Sequence, residues 1–137
     1  MGESKTPGIA VQSRSVRESR LAERMGLSPD VAVAVRGDLA IPELADALDG
    51  LDRALPWDAG VVVTVVQTYD QLDGLSAWLL ECGVSAPTWV VYGGGLAGTP
   101  GDEAVRDALR DAGFTALRAC AVSYGWQAVQ AAPPRFA

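Results

Sequence analysis

The chain has 137 residues, with no histidine, a single lysine and a net charge of −6. Without histidine there is no Ser-His-Asp or Cys-His machinery and no imidazole to hold a metal, and Lys5, alone in a polar leader, leaves no buried Schiff-base or P-loop lysine. The length fits one domain of about 100–200 residues, and no apolar run reaches the roughly 18 residues that a membrane span needs.

The charge is uneven. Residues 1–29 carry five basic and three acidic groups, whereas residues 30–137 carry six and fourteen. The acidic body repels a phosphate backbone, so nucleic acid is excluded as a partner, and a membrane likewise. The leader MGESKTPGIAVQSRS has no apolar stretch of secretory type, which points to the cytoplasm. Cys82 and Cys120 show no metal or redox spacing and read as reduced, buried small hydrophobes.

In chain order, residues 1–14 read as a disordered tail, 15–132 as one domain, and 133–137 as a second tail. Ser15 to Gly26 predicts a short helix with Leu21, Ala22 and Met25 on one side, and Arg14, Arg17, Arg20 and Arg24, spaced three, three and four apart, flank that apolar side. That stripe is a solvated face or a docking strip for an acidic partner, including this protein's own body. Residues 31–36 are an apolar run of strand length closed by Gly37. Pro42 opens a helix whose apolar stripe is Ile41, Leu44, Ala45, Leu48, Leu51 and Leu55. Residues 61–66 are a β-branched run buried on both faces. Thr68 and Gln71 form a capping box for a helix ending at Gly83, with Leu72, Leu75, Trp78, Leu79 and Cys82 inward. Residues 88–92 form the next strand. After a glycine-rich loop, Thr99 caps a helix with Pro100 in its first turn and Val105, Ala108, Leu109 and Ala112 inward. Residues 116–122 and 126–131 then form a hairpin around Ser123-Tyr124-Gly125.

Apolar strands alternating with one-faced helices predict a small, truncated Rossmann-like α/β three-layer sandwich. Its sheet is mostly parallel and ends in a C-terminal antiparallel hairpin. That ending resembles the C-terminal half of a class I methyltransferase. More narrowly, Trp89-Val90-Val91-Tyr92, Val105-Arg106-Asp107-Ala108-Leu109 with Gly113, and Arg118-Ala119-Cys120-Ala121-Val122-Ser123 with Trp126 resemble a bacterial family of short proteins. It is known only as domain of unknown function 3052. Met25-Gly26-Leu27 resembles its opening, and the likeness covers about residues 20–132. Gly93-Gly94 stand where that family has Pro-Lys, and Gln127 where it has a small hydroxyl residue. The resemblance implies a fold and carries no established activity.

Gly93 to Gly98 spell GxGxxG, but after the third strand, with the helix starting late and no acidic residue beyond Asp111. A dinucleotide fingerprint needs the first strand and an acid about 20 residues on. The loop is therefore a connection, or a set of backbone N–H groups offered to a small ligand near Gly93 and Gly95. S-adenosylmethionine needs a Gly-rich turn after the first strand and an acid closing the second, and only Gly37-Asp38-Leu39-Ala40 follows the first strand here. No cofactor or metal is implied. Asp38, Asp58 and Asp70 could converge at the carboxyl edge for acid–base work. Trp126 beside Tyr124 is a core or rim aromatic, or a stacking wall for a planar ligand.

The expected function is a non-catalytic methyltransferase-like scaffold acting through protein contact or a small ligand at the carboxyl edge. Its candidate ligand residues are Gly37, Asp38, Tyr92, Gly93, Gly95, Tyr124 and Trp126. The competing reading is a small accessory enzyme on a metabolite in a biosynthetic pathway, using carboxylate or tyrosine chemistry. The exposed hairpin edge also suggests a homodimer.

Overall fold

The computed structural model describes residues 21–39, 41–93 and 98–134. After a helical turn at 21–24, the order is β1 (Val33–Arg36), α1 (Pro42–Leu48), β2 (Val61–Val66), α2 (Tyr69–Asp73) and α3 (Leu75–Glu81). There follow β3 (Thr88–Gly93), α4 (Asp102–Asp111), β4 (Thr115–Ser123) and β5 (Trp126–Ala132). The strands form one sheet in the order β1-β2-β3-β5-β4. β1, β2 and β3 are parallel, and β5 enters antiparallel between β3 and β4. The mostly parallel sheet with a terminal hairpin is the predicted one.

β2 is an interior strand between β1 and β3, and all six of its residues are buried. That accounts for its unbroken β-branched sequence, since neither face of a covered parallel strand meets water. One face packs Val62, Val66, Val90, Val129 and Ala131 against Leu72, Leu75, Leu79, Val105 and Leu109 of α2, α3 and α4. The other packs Val63, Val65, Trp89, Val91 and Ala128 against Leu21, Met25 and Leu27, and against Leu44 and Leu48 of α1. Trp89 is fully buried there, and its Nε1 donates to the Met25 carbonyl at 2.7 Å. Burying such a side chain is worth about 1.5–3 kcal/mol, and the bond pins the N-terminal segment to the sheet.

Three helices differ from expectation. α1 stops at Leu48 rather than reaching Leu55, because Gly50 takes φ +80 and turns the chain out. Leu51 is left half-buried and Leu55 exposed. The predicted helix from Thr68 to Gly83 is two helices broken at Gly74, although the Thr68–Gln71 capping box forms as expected. α4 starts at Asp102 with Gly101 as its N-cap, so Thr99 is not the cap; its Oγ1 donates to the Gly93 carbonyl at 3.5 Å. Both cysteines are free and half-buried rather than buried, on opposite faces of the sheet. Pro134 rests near Gly113, so the chain stays packed past the end of β5. The predicted tail over residues 1–14 and the end of the other, 135–137, lie outside the described residues.

Candidate functional site

The connection after β1 runs to the face of α1, while those after β2 and β3 run to the opposite face. Connections therefore reverse direction at the carboxyl ends of β1 and β2, the crevice in which open α/β sheets take ligands. One lip holds Gly37 and Asp38, the other Thr68, Tyr69 and Asp70.

Gly37 answers to the backbone beside it. With φ at +101°, a Cβ there would stand 2.5 Å from the Val65 carbonyl oxygen. The turn after β1 thus presses on β2, and the glycine is required by the fold itself. On the other lip, Gln71 Oε1 accepts from the backbone N–H groups of Gln67 at 2.6 Å and Thr68 at 3.3 Å. The Gln71 N–H in turn donates to Thr68 Oγ1 at 3.1 Å. These donors are satisfied internally.

Arg36, at the end of β1, was not among the sequence candidates. Its Nη1 donates to Thr64 Oγ1 and its Nη2 to the Gln71 carbonyl, both at 3.3 Å. The guanidinium lies over the Trp78 ring at 5.4 Å. Burial lowers its pKa, and the nearby Cys82 opposes that shift. Nothing in the local sequence signals this contact, because it joins a strand to a helix two connections later.

The outer side of β1 carries a feature that hydropathy did not show. The Val33 N–H donates to the Asp52 carbonyl at 2.9 Å, and the Ala54 N–H donates to the Val33 carbonyl at 3.0 Å. A single parallel bridge joins Val33 to Arg53. This segment touches only the amino-terminal end of β1 and leaves through exposed Leu55 and Trp57.

At the end of β3, Tyr92 is buried and its hydroxyl donates to Asp102 Oδ1 at 2.8 Å. Arg106 Nε, one turn along α4, donates to both oxygens of the same carboxylate at 3.0 and 2.9 Å. Burial, followed by the bond to Asp102, pushes the Tyr92 phenol up to about 12. The Asp102 carboxyl is held low, first by the Tyr92 hydroxyl and then, against a desolvation that opposes it, by Arg106. The i, i+4 spacing of Asp102 and Arg106 was legible; their convergence on Tyr92 required the fold.

Register sets Gly93 opposite Trp126, and Trp126 opposite Ser123. Trp126 is half-buried against the second core cluster, and Tyr124 at the hairpin tip is fully exposed. Tyr92, Gly93, Tyr124 and Trp126 therefore share the carboxyl end of β3, with Tyr92 in the core on one face of the sheet and Trp126 packed on the other, while Gly37 and Asp38 stand at the end of β1 with β2 between them. Gly95 lies outside the described residues. Asp58 does not join Asp38 and Asp70: it precedes β2, so the parallel strand order places it at the opposite end of the sheet. Of the arginine stripe, Arg14, Arg17 and Arg20 are outside the described residues. Arg24 Nη2 donates to the Ala121 carbonyl of β4 at 2.8 Å. Among the described residues no group of three acidic or cysteine side chains could hold a metal ion, and no helix is long and apolar enough to cross a membrane.

No family model and no curated protein matches the sequence. Solved structures do match in shape. Magnesium protoporphyrin IX methyltransferase from Synechocystis PCC 6803, with bound SAM, aligns over 91% of this chain and 81% of its own, with 16% identity and a TM-score of 0.54. A ribosomal protein L11 methylase from Lactobacillus delbrueckii subsp. bulgaricus aligns over 87% and 77%, with 12% identity and a TM-score of 0.49. The fold is methyltransferase-like, with three parallel strands and an antiparallel C-terminal hairpin.

Proposed function

We propose that this chain is a non-catalytic methyltransferase-like scaffold that recognises a small ligand or a protein segment at the carboxyl edge of its sheet, around Tyr124 and Trp126. The observation that carries the reading is how the polar groups of that edge are engaged. Tyr92 is bonded to Asp102, Gln71 to the Gln67 and Thr68 N–H groups of its own lip, and Arg36 to Thr64 and Gln71. A phenol held up to about 12 stays protonated near neutral pH and is not available there as a general base. What the edge presents freely is aromatic: Tyr124 fully exposed, Tyr69 half-exposed, and Trp126 half-buried. Rigid aromatic surface serves recognition, because it offers large contact area at low entropy cost.

S-adenosylmethionine does not fit the residues present. A side chain at Gly37 would meet the Val65 backbone, and the residues after β1 are Gly37-Asp38-Leu39-Ala40, without the glycine-rich turn that the compound needs. Among the described residues the segment beside β1 hydrogen-bonds that strand at Val33, so its one carboxylate, Asp52, belongs to the far end of the strand from the ligand edge. A ribose-binding acid is needed at the carboxyl end. Membership of the domain of unknown function 3052 family, on the motifs quoted, and a cytoplasmic location, on two free thiols, are part of the same reading.

A thermal-shift screen of the full chain against S-adenosylmethionine, S-adenosylhomocysteine, nucleotides and acyl carriers tests the proposal. The expected result is no stabilisation by the two S-adenosyl compounds, and stabilisation by another ligand that is lost in Trp126→Ala or Tyr124→Ala. Stabilisation by S-adenosylmethionine together with methyl transfer from labelled donor refutes it.

A further inference from the structure

We propose that β4 is the surface through which two copies of this chain pair, antiparallel, about a two-fold axis at Cys120. The two edges of the sheet are unlike. β1 has four residues, and Asp52 and Ala54 occupy part of its outer side. β4 has nine residues, Arg118 as its single charge and no proline. Leu117, Ala119 and Ala121 are exposed along it. A long, weakly charged edge strand is a template for a further strand.

The ladder settles which backbone groups this edge offers. The Val62 N–H donates to the Pro87 carbonyl, so Thr88, Val90 and Tyr92 turn their backbone groups toward β5. Alternation then directs Gln130 and Ala128 toward β4, where they meet Arg118 and Cys120. The N–H and C=O groups of Ala119 and Ala121 consequently point out of the sheet. Arg24, reaching the Ala121 carbonyl from outside, agrees with that direction. A carbonyl oxygen accepts two bonds, so this contact leaves it an acceptor site.

Register shifts fall between Ala116 and Arg118 and between Ala121 and Ser123, bracketing a regular stretch from Arg118 to Ala121. Outward-facing residues pair only with outward-facing ones. Within the regular stretch, a self-pairing that uses both sets Ala119 against the partner's Ala121, and Ala121 against the partner's Ala119. All four N–H groups and all four carbonyls of those residues are then matched. Cys120 meets the partner's Cys120 as a non-hydrogen-bonded pair, with Cα atoms about 4.5 Å apart, within disulfide reach. Arg118 meets the partner's Val122, so no like charges face each other. It is this self-complementarity that makes the occupant a second copy.

The test uses the full chain carrying Cys82→Ser, which leaves Cys120 as the sole thiol. Sedimentation is expected to show a dimer that grows with concentration. Diamide, accepting two protons and two electrons from two thiols, is expected to yield a reducible Cys120-linked dimer. Ala119→Lys combined with Ala121→Lys sets lysine against lysine at both outward pairs and is expected to weaken the dimer about tenfold. Ala119→Glu combined with Ala121→Lys sets opposite charges at the same two pairs and is expected to restore it. Circular dichroism checks that both double variants fold. A chain monomeric at every concentration, no cross-link at Cys120, a dimer indifferent to the charge pattern, or a foreign strand on β4 without self-association overturns the proposal.

Discussion

Replacing Gly37 by alanine tests the closest approach that an added Cβ would meet among the described glycines. The added Cβ would lie 2.5 Å from the Val65 carbonyl oxygen, 3.2 Å from its nitrogen and 3.3 Å from its carbonyl carbon. All three are backbone atoms of the interior strand β2, so no side chain can rotate away. Holding a non-glycine residue at positive φ costs about 1–2 kcal/mol, and forcing an atom into packed surroundings adds about 1–3 kcal/mol. The sum, about 2–5 kcal/mol, is a large share of the roughly 5–15 kcal/mol by which a domain is stable. Gly26→Ala is the matched control, since Gly26 also has positive φ, at +68°, but no atom within 4 Å of the built Cβ. It is expected to lose only the conformational part. Urea unfolding followed by tryptophan fluorescence measures both variants, with Trp89 reporting from the core. Equal losses in the two would refute the claim that Val65 enforces the glycine.

Tyr92→Phe removes the hydroxyl that Asp102 accepts, at an expected cost of about 1–1.5 kcal/mol. Its pH signature has two arms. The Tyr92 phenol sits above its unfolded value, so its contribution is full below about pH 10 and is lost as pH rises toward about 12. The Asp102 carboxyl sits below its unfolded value, so its contribution holds above about pH 4 and is lost as pH falls through the folded value. The variant is expected to flatten the alkaline arm and to abolish the phenol absorbance step near 12; a step that persists would assign it elsewhere. Trp89→Phe leaves the buried Met25 carbonyl without its donor, at an expected cost of about 1–3 kcal/mol before any cavity cost. Limited trypsin digestion is expected to cut faster at Arg24, and unchanged cutting would show that the bond does not anchor the segment. Gly74→Ala is expected to stabilise by up to about 1 kcal/mol. Gly74 has φ −81 and ψ −8, and the nearest atom to an added Cβ is the movable end of Arg36 at 3.4 Å. A lower melting temperature would mean that Arg36 cannot yield.

Legibility followed locality. The β2 and β3 strands, the Thr68–Gln71 capping box and the hairpin come from contiguous apolar runs and fixed short spacings, and each stands where the residues placed it. The helix from Pro42 was read too long because Leu51 and Leu55 continue its period, and period alone cannot see Gly50 take φ +80 and end it. The opposite limit applies at residues 51–54. A one-residue bridge leaves no alternation to detect, although it decides what covers β1. Of the candidate site residues, Tyr92, Gly93, Tyr124 and Trp126 share one end of the sheet because the hairpin returns beside β3. Asp58 stands apart from Asp38 and Asp70 because it precedes a parallel strand where they follow one, an order that the sequence itself carries.

Two contacts explain why recognition is assigned to the hairpin side and not to the crevice between β1 and β2. At that crevice the Gly37 turn is closed onto Val65, and Gln71 caps the facing N–H groups. An anion or sugar arriving there would find donors already bonded, and each would have to be released at a cost of about 0.5–1.5 kcal/mol. Beside the hairpin no such exchange is required. Tyr124 makes no burial-dependent contact, being fully exposed, and Trp126 has one partly open side. Apolar surface at that end can therefore be covered by a ligand at a gain of about 25 cal/mol per Å², with the Tyr92–Asp102–Arg106 chain bracing the end of β3 from the opposite face of the sheet.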